Sequence, residues 1–410
     1  MTPIARKALI IVAVVVLLVV AYFIGNSKSR RPFIDTSGRL LFLSDTNPDP
    51  KQAKTPDHPH IWTIANDGTG PMRLTKGNET DSDPSFSPDG SQIVFVSDRT
   101  GSPQVWIMNA DGTQPEAITI GSEAKSSPKY SPDGKQIAFI SRGALTVFNL
   151  ETRSQDVLLP IPHQGADADS ASSQREPVTS FAWAPVAGQN GTLIAAVQQG
   201  DNNIQQLSLA GGSLTDPVPV ATASDVSVAW APDASHLLVA LLNATGIRPP
   251  AEAMASLQMP PGVVFPPLPK NFPKSGIFSF GVDGSIQTSF APVGISKKPG
   301  AGPQNPVISP NSLYIAYETW PGADADIWHY LGIQSVVQAT GAPGPLHLNG
   351  PTAQPQFAAD GQSFGFTAPS RRVHGWRDAI VINFNNGKIF DVTSGRANVL
   401  KFQISPAKKS

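Results

Sequence analysis

The sequence predicts an all-β fold, a seven-bladed β-propeller preceded by one N-terminal transmembrane helix. Three observations carry this: a strand-turn-strand unit that recurs at a fixed offset, Asp-Gly turns spaced along the chain, and a single uninterrupted apolar run near the N-terminus. Forty percent hydrophobic residues against 15% charged supply a large buried core and exclude a disordered chain. The 40 prolines and 35 glycines are scattered, as a fold of many short strands and turns requires.

The chain opens with a short arm, residues 1–7, that carries Arg6 and Lys7, and then runs from Ala8 to Ile24 without a charge. Seventeen residues (8–24) lie at the short end of what spans a bilayer. The alternative is a cleaved signal peptide, since Val19-Val20-Ala21 resembles a small-residue cleavage site, but the apolar stretch is longer than most signal cores. Lys28, Arg30 and Arg31 in the linker 25–35 balance the basic residues before the span, so charge leaves the orientation open. A short arm before one span and a large domain behind it favour a signal-anchor with the domain exported, on the periplasmic or extracellular side.

From residue 36 to 406 one unit repeats. Ser82-Asp83-Pro84-Ser85-Phe86-Ser87-Pro88-Asp89-Gly90 runs into Ile93-Val94-Phe95-Val96, and Ser126-Ser127-Pro128-Lys129-Tyr130-Ser131-Pro132-Asp133-Gly134 runs into Ile137-Ala138-Phe139-Ile140, an offset of 44 (126 − 82). Pro88 pre-sets φ for a turn, Asp89 bonds its own backbone, and Gly90 takes the positive φ that closes it. Val105 to Asn109 then gives a third strand, Asp111-Gly112 a hairpin turn, and Glu116 to Thr119 a fourth strand. Four strands make one blade.

Weaker copies follow around Pro185, Pro232, Pro310 and Asp360-Gly361. A seventh unit starts at Arg39 without a preceding innermost strand, and the C-terminus ends in a lone strand near Phe402, so residues 399–406 are expected to complete the first blade and close the ring. Six blades is the competing count, because the Pro185 and Pro232 units are degenerate. Residues 407–410 form a tail.

Specific function is expected where the repeat is broken. The largest insertion, 243–275, carries Pro249-Pro250, Pro260-Pro261 and Pro266-Pro267 with Met254, Met259, Phe265 and Phe272 between them, an extended, stiff and partly apolar arm. It reads equally as a partner-docking lid or as a rigid loop packed on its own blade. Trp62, Trp106 and Trp328 share one repeat position and belong to blade packing, whereas Trp320 and Trp376 do not and are candidates for an exposed aromatic contact.

Catalytic chemistry is mostly absent from the sequence. Without cysteine there is no disulfide, thiolate site or lipidated cysteine. Gly361-Gln362-Ser363-Phe364-Gly365 fits the nucleophile-elbow pattern but lies in register with the repeat turn after Gly90. Asp57-His58-Pro59-His60 has metal-capable side chains without partners elsewhere in the sequence. Beyond Arg6 and Lys7 the chain holds 28 basic and 31 acidic residues, a net of −3 that offers no field for nucleic acid. No catalytic residue, metal or cofactor is assigned.

The Pro-x-Phe-Ser-Pro-Asp-Gly-x-x-Ile-x-Phe core at 84–95, with a near copy at 128–139, resembles the WD-like repeat of TolB-like propellers and of the prolyl oligopeptidase propeller. The resemblance implies the architecture but no activity. TolB carries an α/β domain before its propeller, for which the dozen residues behind the apolar run leave no room, and no span remains for a hydrolase domain. The reading is a non-catalytic, membrane-anchored module that binds a protein or a cell-envelope polymer. The alternative is a propeller enzyme or carbohydrate-binding or other ligand-binding protein using residues around the central channel.

Overall fold

The computed structural model describes residues 38–46, 58–159, 177–185, 194–199, 204–210, 218–223, 225–242, 244, 246–247, 275–281, 286–290, 301–312, 314–321, 330–335, 346–348, 353–359, 361, 363–383 and 388–406. Every regular element among them is a strand, and the fold is an all-β propeller. Among the described residues no helix is long and apolar enough to cross a membrane, and the run 8–24 lies outside them. The chain divides into two compact units, one of residues 1–130, 309–316 and 330–410, the other of 131–308 and 317–329.

In the first unit, strands Arg39–Ser44, His60–Ala65 and Met72–Arg73 pair antiparallel in order, and the C-terminal strand Val399–Ile404 adds to the free edge of Arg39–Ser44. Leu40 lies opposite Ile404 and Phe42 opposite Phe402, so the C-terminal strand completes the first blade, as the unpaired sequence ends require. Alternating apolar positions put Leu40, Phe42, Trp62, Val399 and Phe402 in one buried cluster. The second blade, Asp81–Phe86, Gln92–Ser97, Gln104–Asn109 and Glu116–Ala117, packs on the first through Leu41, Ile61, Phe86, Phe95 and Met108. Phe42 and Phe95 are fully buried, each contributing about 1.5–3 kcal/mol. A third complete blade is Ala353–Phe357, Ser363–Pro369, Arg377–Asn383 and Lys388–Asp391.

The turns are built as the motif dictates. Gly90 N–H donates to Ser87 C=O at 2.9 Å with φ at 70°, and the Asp89 carboxylate accepts from the Ser87 hydroxyl and from Ser91 N–H. In the second unit, Ser131, Asp133 and Gly134 repeat this arrangement. Gly112 closes the hairpin at φ 85°, and a Cβ there would stand 2.9 Å from the Leu74 carbonyl oxygen.

The second unit contains two complete blades. One is Val178–Trp183, Ile194–Gln199, Ile204–Ala210 and Val218–Thr222, the other Asp225–Trp230, His236–Leu242, Gly276–Gly281 and Ile286–Phe290. The degenerate units at Pro185 and Pro232 therefore each head a sheet of their own. The large insertion starts differently from expectation: Gly246–Ile247 pairs with Val218–Thr222 as a fifth strand on the preceding blade.

Five blades are thus complete within one unit or the other, fewer than the seven expected. The unit boundary falls between Tyr130 and Ser131 and again between Ala316 and Tyr317, and so cuts through the two remaining repeats.

Candidate functional site

In the first unit, Asp81–Phe86, Lys125–Tyr130, Ala353–Phe357 and Val399–Ile404 are the innermost strands of their repeats. Three of them carry a polar residue with left-handed backbone just before a proline: Asp83 at φ 48° before Pro84, Ser127 at 55° before Pro128, and Gln354 at 56° before Pro355. Asn305, before Pro306 in the second unit, has φ 48°. Register slips between Ser82 and Ser85 and between Ala353 and Gln356, so two of these sites are bulges. Proline brings no N–H to a ladder, which favours a bulge at that point and turns the preceding side chain out of the pleat. Left-handed residues other than glycine cost on the order of 1–3 kcal/mol each and cluster where function holds them. The repeated polar-Pro pair was visible in the sequence, but its bulge was not anticipated.

These residues join neighbouring inner strands by side-chain bonds. Lys401 Nζ donates to Asp83 Oδ1 at 2.7 Å, and Asp83 Oδ2 accepts from Ser127 N–H at 3.2 Å. Phe86 N–H donates to Gln403 Oε1 at 2.8 Å, while the Gln356 and Gln354 amides donate to the Phe402 and Leu400 carbonyls, each at 2.7 Å. Burial acts to raise the Asp83 carboxyl, but the charge and hydrogen bond of Lys401 and the Ser127 N–H outweigh it and hold the group below its usual range. Lys129 is an exposed residue, while protein atoms surround its ammonium. Desolvation first, then repulsion by Lys401, pushes it down to about 8 against the weaker attraction of Asp83.

A second polar set is buried and structural. Asp81 accepts from Arg99 Nη2 at 2.8 Å and lies 3.4 Å from His60 Nδ1, and Arg99 stands 5.3 Å and 5.0 Å from the Phe95 and Trp106 ring centres. Burial raises the Asp81 carboxyl, but hydrogen bonds from His60, Thr75 and Ser97 and the Arg99 charge bring it below the ordinary value. A threonine clasp recurs from blade to blade: the Thr75, Thr119 and Thr393 hydroxyl oxygens accept the N–H of Ile61, Val105 and Ala379 at 2.9, 2.9 and 3.0 Å. Sequence reading missed this clasp, although Thr75 and Thr119 stand at the repeat offset of 44 (119 − 75).

Of the candidates from the sequence, only Trp376 is described with its side chain. Met254, Met259, Phe265 and Phe272 lie outside the described residues. Trp320 is on strand Tyr314–Pro321, with its side chain outside the description. Trp376 is half-buried at the end of the loop joining Ser363–Pro369 to Arg377–Asn383, where its carbonyl accepts from Ser370 N–H at 2.8 Å. Gly361 turns at φ 66° into strand Ser363–Pro369, so the elbow-like pentapeptide is the repeat turn. His60 is buried against Asp81, which withdraws it from a loop metal site, and no group of three metal-capable side chains occurs among the described residues.

The inner strands follow directly from the Pro-x-Phe-Ser-Pro-Asp-Gly motif, and the segment that carries its two best copies is the one in which a similarity to a known family is found. Residues 51–166 match the TolB beta propeller domain. Among solved structures, TolB from Acinetobacter baumannii is 15% identical, with 91% of this chain and 68% of that one covered, at a TM-score of 0.49. An oligogalacturonate lyase in complex with manganese is 12% identical over 87% of this chain and 85% of that one, TM-score 0.50. A prolyl endopeptidase structure is 13% identical, with 98% and 53% covered, TM-score 0.51, so the chain spans about half of that enzyme. At these identities the likeness is one of fold. No curated protein matches the chain.

Proposed function

We propose that this TolB-like propeller is a non-catalytic binding module, exported and held at the membrane by residues 8–24, which engages a protein partner through the inner-strand face. The observation that carries the reading is the set of strained polar residues on inner strands: Asp83 and Gln354 bond to the C-terminal strand, Ser127 N–H donates to Asp83, and Lys129 and Lys401 on the same strands reach solvent. A fold spends strain where a side chain must be presented rather than packed. The ring has seven blades in this reading. Two further four-strand sets, from Lys125–Tyr130 to Gln155–Leu159 and from Ala301–Ile308 to Leu346–Leu348, have the consecutive strand order of the complete blades.

The test is affinity capture from solubilised membranes with the full-length chain as bait, beside Lys401→Glu and a deletion of 248–274 that spares the Gly246–Ile247 strand. A partner held by the wild type and lost with Lys401→Glu supports the inner face, and one lost only with the deletion moves the surface to the proline-rich arm. A folded bait that enriches nothing, but whose melting temperature rises with an oligosaccharide, replaces this reading with a carbohydrate-binding one.

A further inference from the structure

The loop 370–376 joins Ser363–Pro369 to Arg377–Asn383 in the first unit and carries Arg371, Arg372 and His374, all exposed. Its shape is fixed by its own hydrogen bonds. Ser370 N–H donates to the Trp376 carbonyl at 2.8 Å, and the Ser370 hydroxyl oxygen accepts from Arg372 N–H at 3.2 Å and from Val373 N–H at 3.3 Å. Trp376 N–H donates to the Val373 carbonyl at 3.2 Å, with Gly375 at φ 82° between them. The stem of Arg372 lies on the backbone of Gly395, where an added Cβ would stand 2.6 Å from Arg372 Cβ and 3.3 Å from its Cδ. A stem already laid down has less rotamer freedom to lose when its guanidinium binds.

The carboxylates beside the loop are engaged by other donors. Asp378 Oδ1 accepts from the Thr393 hydroxyl at 2.8 Å and from Gly395 N–H at 2.7 Å, and Asp391 Oδ1 accepts from Ser394 N–H at 2.8 Å. Arg372 acts on Asp391 as a nearby charge, yet among the described residues neither its guanidinium nor the His374 ring has a hydrogen-bond or ion-pair partner. A guanidinium fork fits a carboxylate through two parallel hydrogen bonds, and an imidazole N–H donates to a second acceptor in either tautomer. A nucleic acid or an anionic bilayer needs an extended positive field, which a chain of net charge −1 does not offer. A short run of carboxylates needs only the loop. We propose that this loop docks an acidic polypeptide segment, with Arg372 pairing with one carboxylate and His374 donating to a neighbouring one.

Fluorescence anisotropy with the full-length protein in detergent micelles tests this. The probe is a rhodamine-labelled, amidated Gly-Glu-Glu-Glu-Glu-Gly peptide, and the control is the same peptide with Gln for Glu. The expected result is saturable binding of the Glu peptide alone, weakened roughly tenfold by Arg372→Gln and less by His374→Gln, since a charge-assisted hydrogen bond is worth about that factor in affinity. Arg372→Lys keeps the charge without the fork and retains more affinity than Arg372→Gln, which also guards against a folding defect in the latter. Lys135→Gln, at an exposed lysine of the second unit, leaves the affinity unchanged. Equal binding of the Gln peptide, or an equal loss with Lys135→Gln, overturns the docking loop. A single-stranded oligonucleotide or phosphatidylglycerol vesicles that bind the wild type more tightly than the Glu peptide, and lose that binding with Arg372→Gln, assign the loop to a phosphate surface and overturn the polypeptide. The loop is separate from the inner strands, so partner capture that proves insensitive to Lys401 leaves this proposal standing.

Discussion

At single positions the chain separates groups that hold the fold from groups that face solvent. Thr119 is buried, and its hydroxyl accepts Val105 N–H while donating to Gln104 Oε1. Thr119→Val strands both partners and is expected to cost about 1–3 kcal/mol, read from urea unfolding. Gly112→Ala must place a Cβ at positive φ against the Leu74 carbonyl, and a loss on the order of 1–3 kcal/mol is expected in the same assay. Asp391 gives a pH signature. Burial, then the neighbouring Asp378 charge, raise its carboxyl to about 6, against the Ser394 N–H and the Arg371 and Arg372 charges. Between the unfolded value of 3.8 and the folded one, the native protein keeps a proton that the unfolded chain has released. Stability therefore falls as pH rises from about 4 to about 6, and Asp391→Asn is expected to remove that slope from a plot of melting temperature against pH. Asp89 and Gly90 were legible in the sequence because a turn needs their local chemistry. The Asp81–Arg99 pair and the Lys401–Asp83 pair were not, because each joins residues that the motif leaves unrelated.

Among the elements, the C-terminal strand carries the clearest consequence. Val399–Ile404 pairs with Arg39–Ser44 on one side, and its Phe402 is buried with Leu40, Phe42 and Trp62. Phe402→Ala is expected to cost about 3–5 kcal/mol, and a chain ending at residue 398 to lose its cooperative thermal transition. This closure was readable because a blade short of one strand and a strand short of a blade lie at opposite ends of the same chain. The bulges at Asp83 and Gln354 were less legible, since a polar-Pro pair within an otherwise alternating strand reads equally as an edge or a slip. The use of Gly246–Ile247 as an added strand was hidden altogether: two residues carry no periodicity, and their pairing depends on an open edge in the neighbouring blade.

For the molecule as a whole, the repeat specifies a propeller, and what distinguishes this one is where it departs from repetition. Architecture was legible because the same turn chemistry recurs along the chain, as at Asp89-Gly90 and Asp133-Gly134, whereas the inner-face cluster gathers Asp83, Ser127, Lys129 and Lys401 from three strands. Trp320 and Trp376 were singled out because they fall outside the repeat position of the blade tryptophans, and Trp376 proves to be half-buried in a loop. Site-specific photocrosslinking of the full-length protein in the cells that make it tests the inner-face account most directly. The crosslinker replaces either Leu400, 38% exposed beside Lys401, or Val157, 55% exposed on the strand Gln155–Leu159. The account predicts partner adducts from position 400 that disappear with Lys401→Glu, and none from position 157. Adducts confined to position 157, or unchanged by Lys401→Glu, would contradict it.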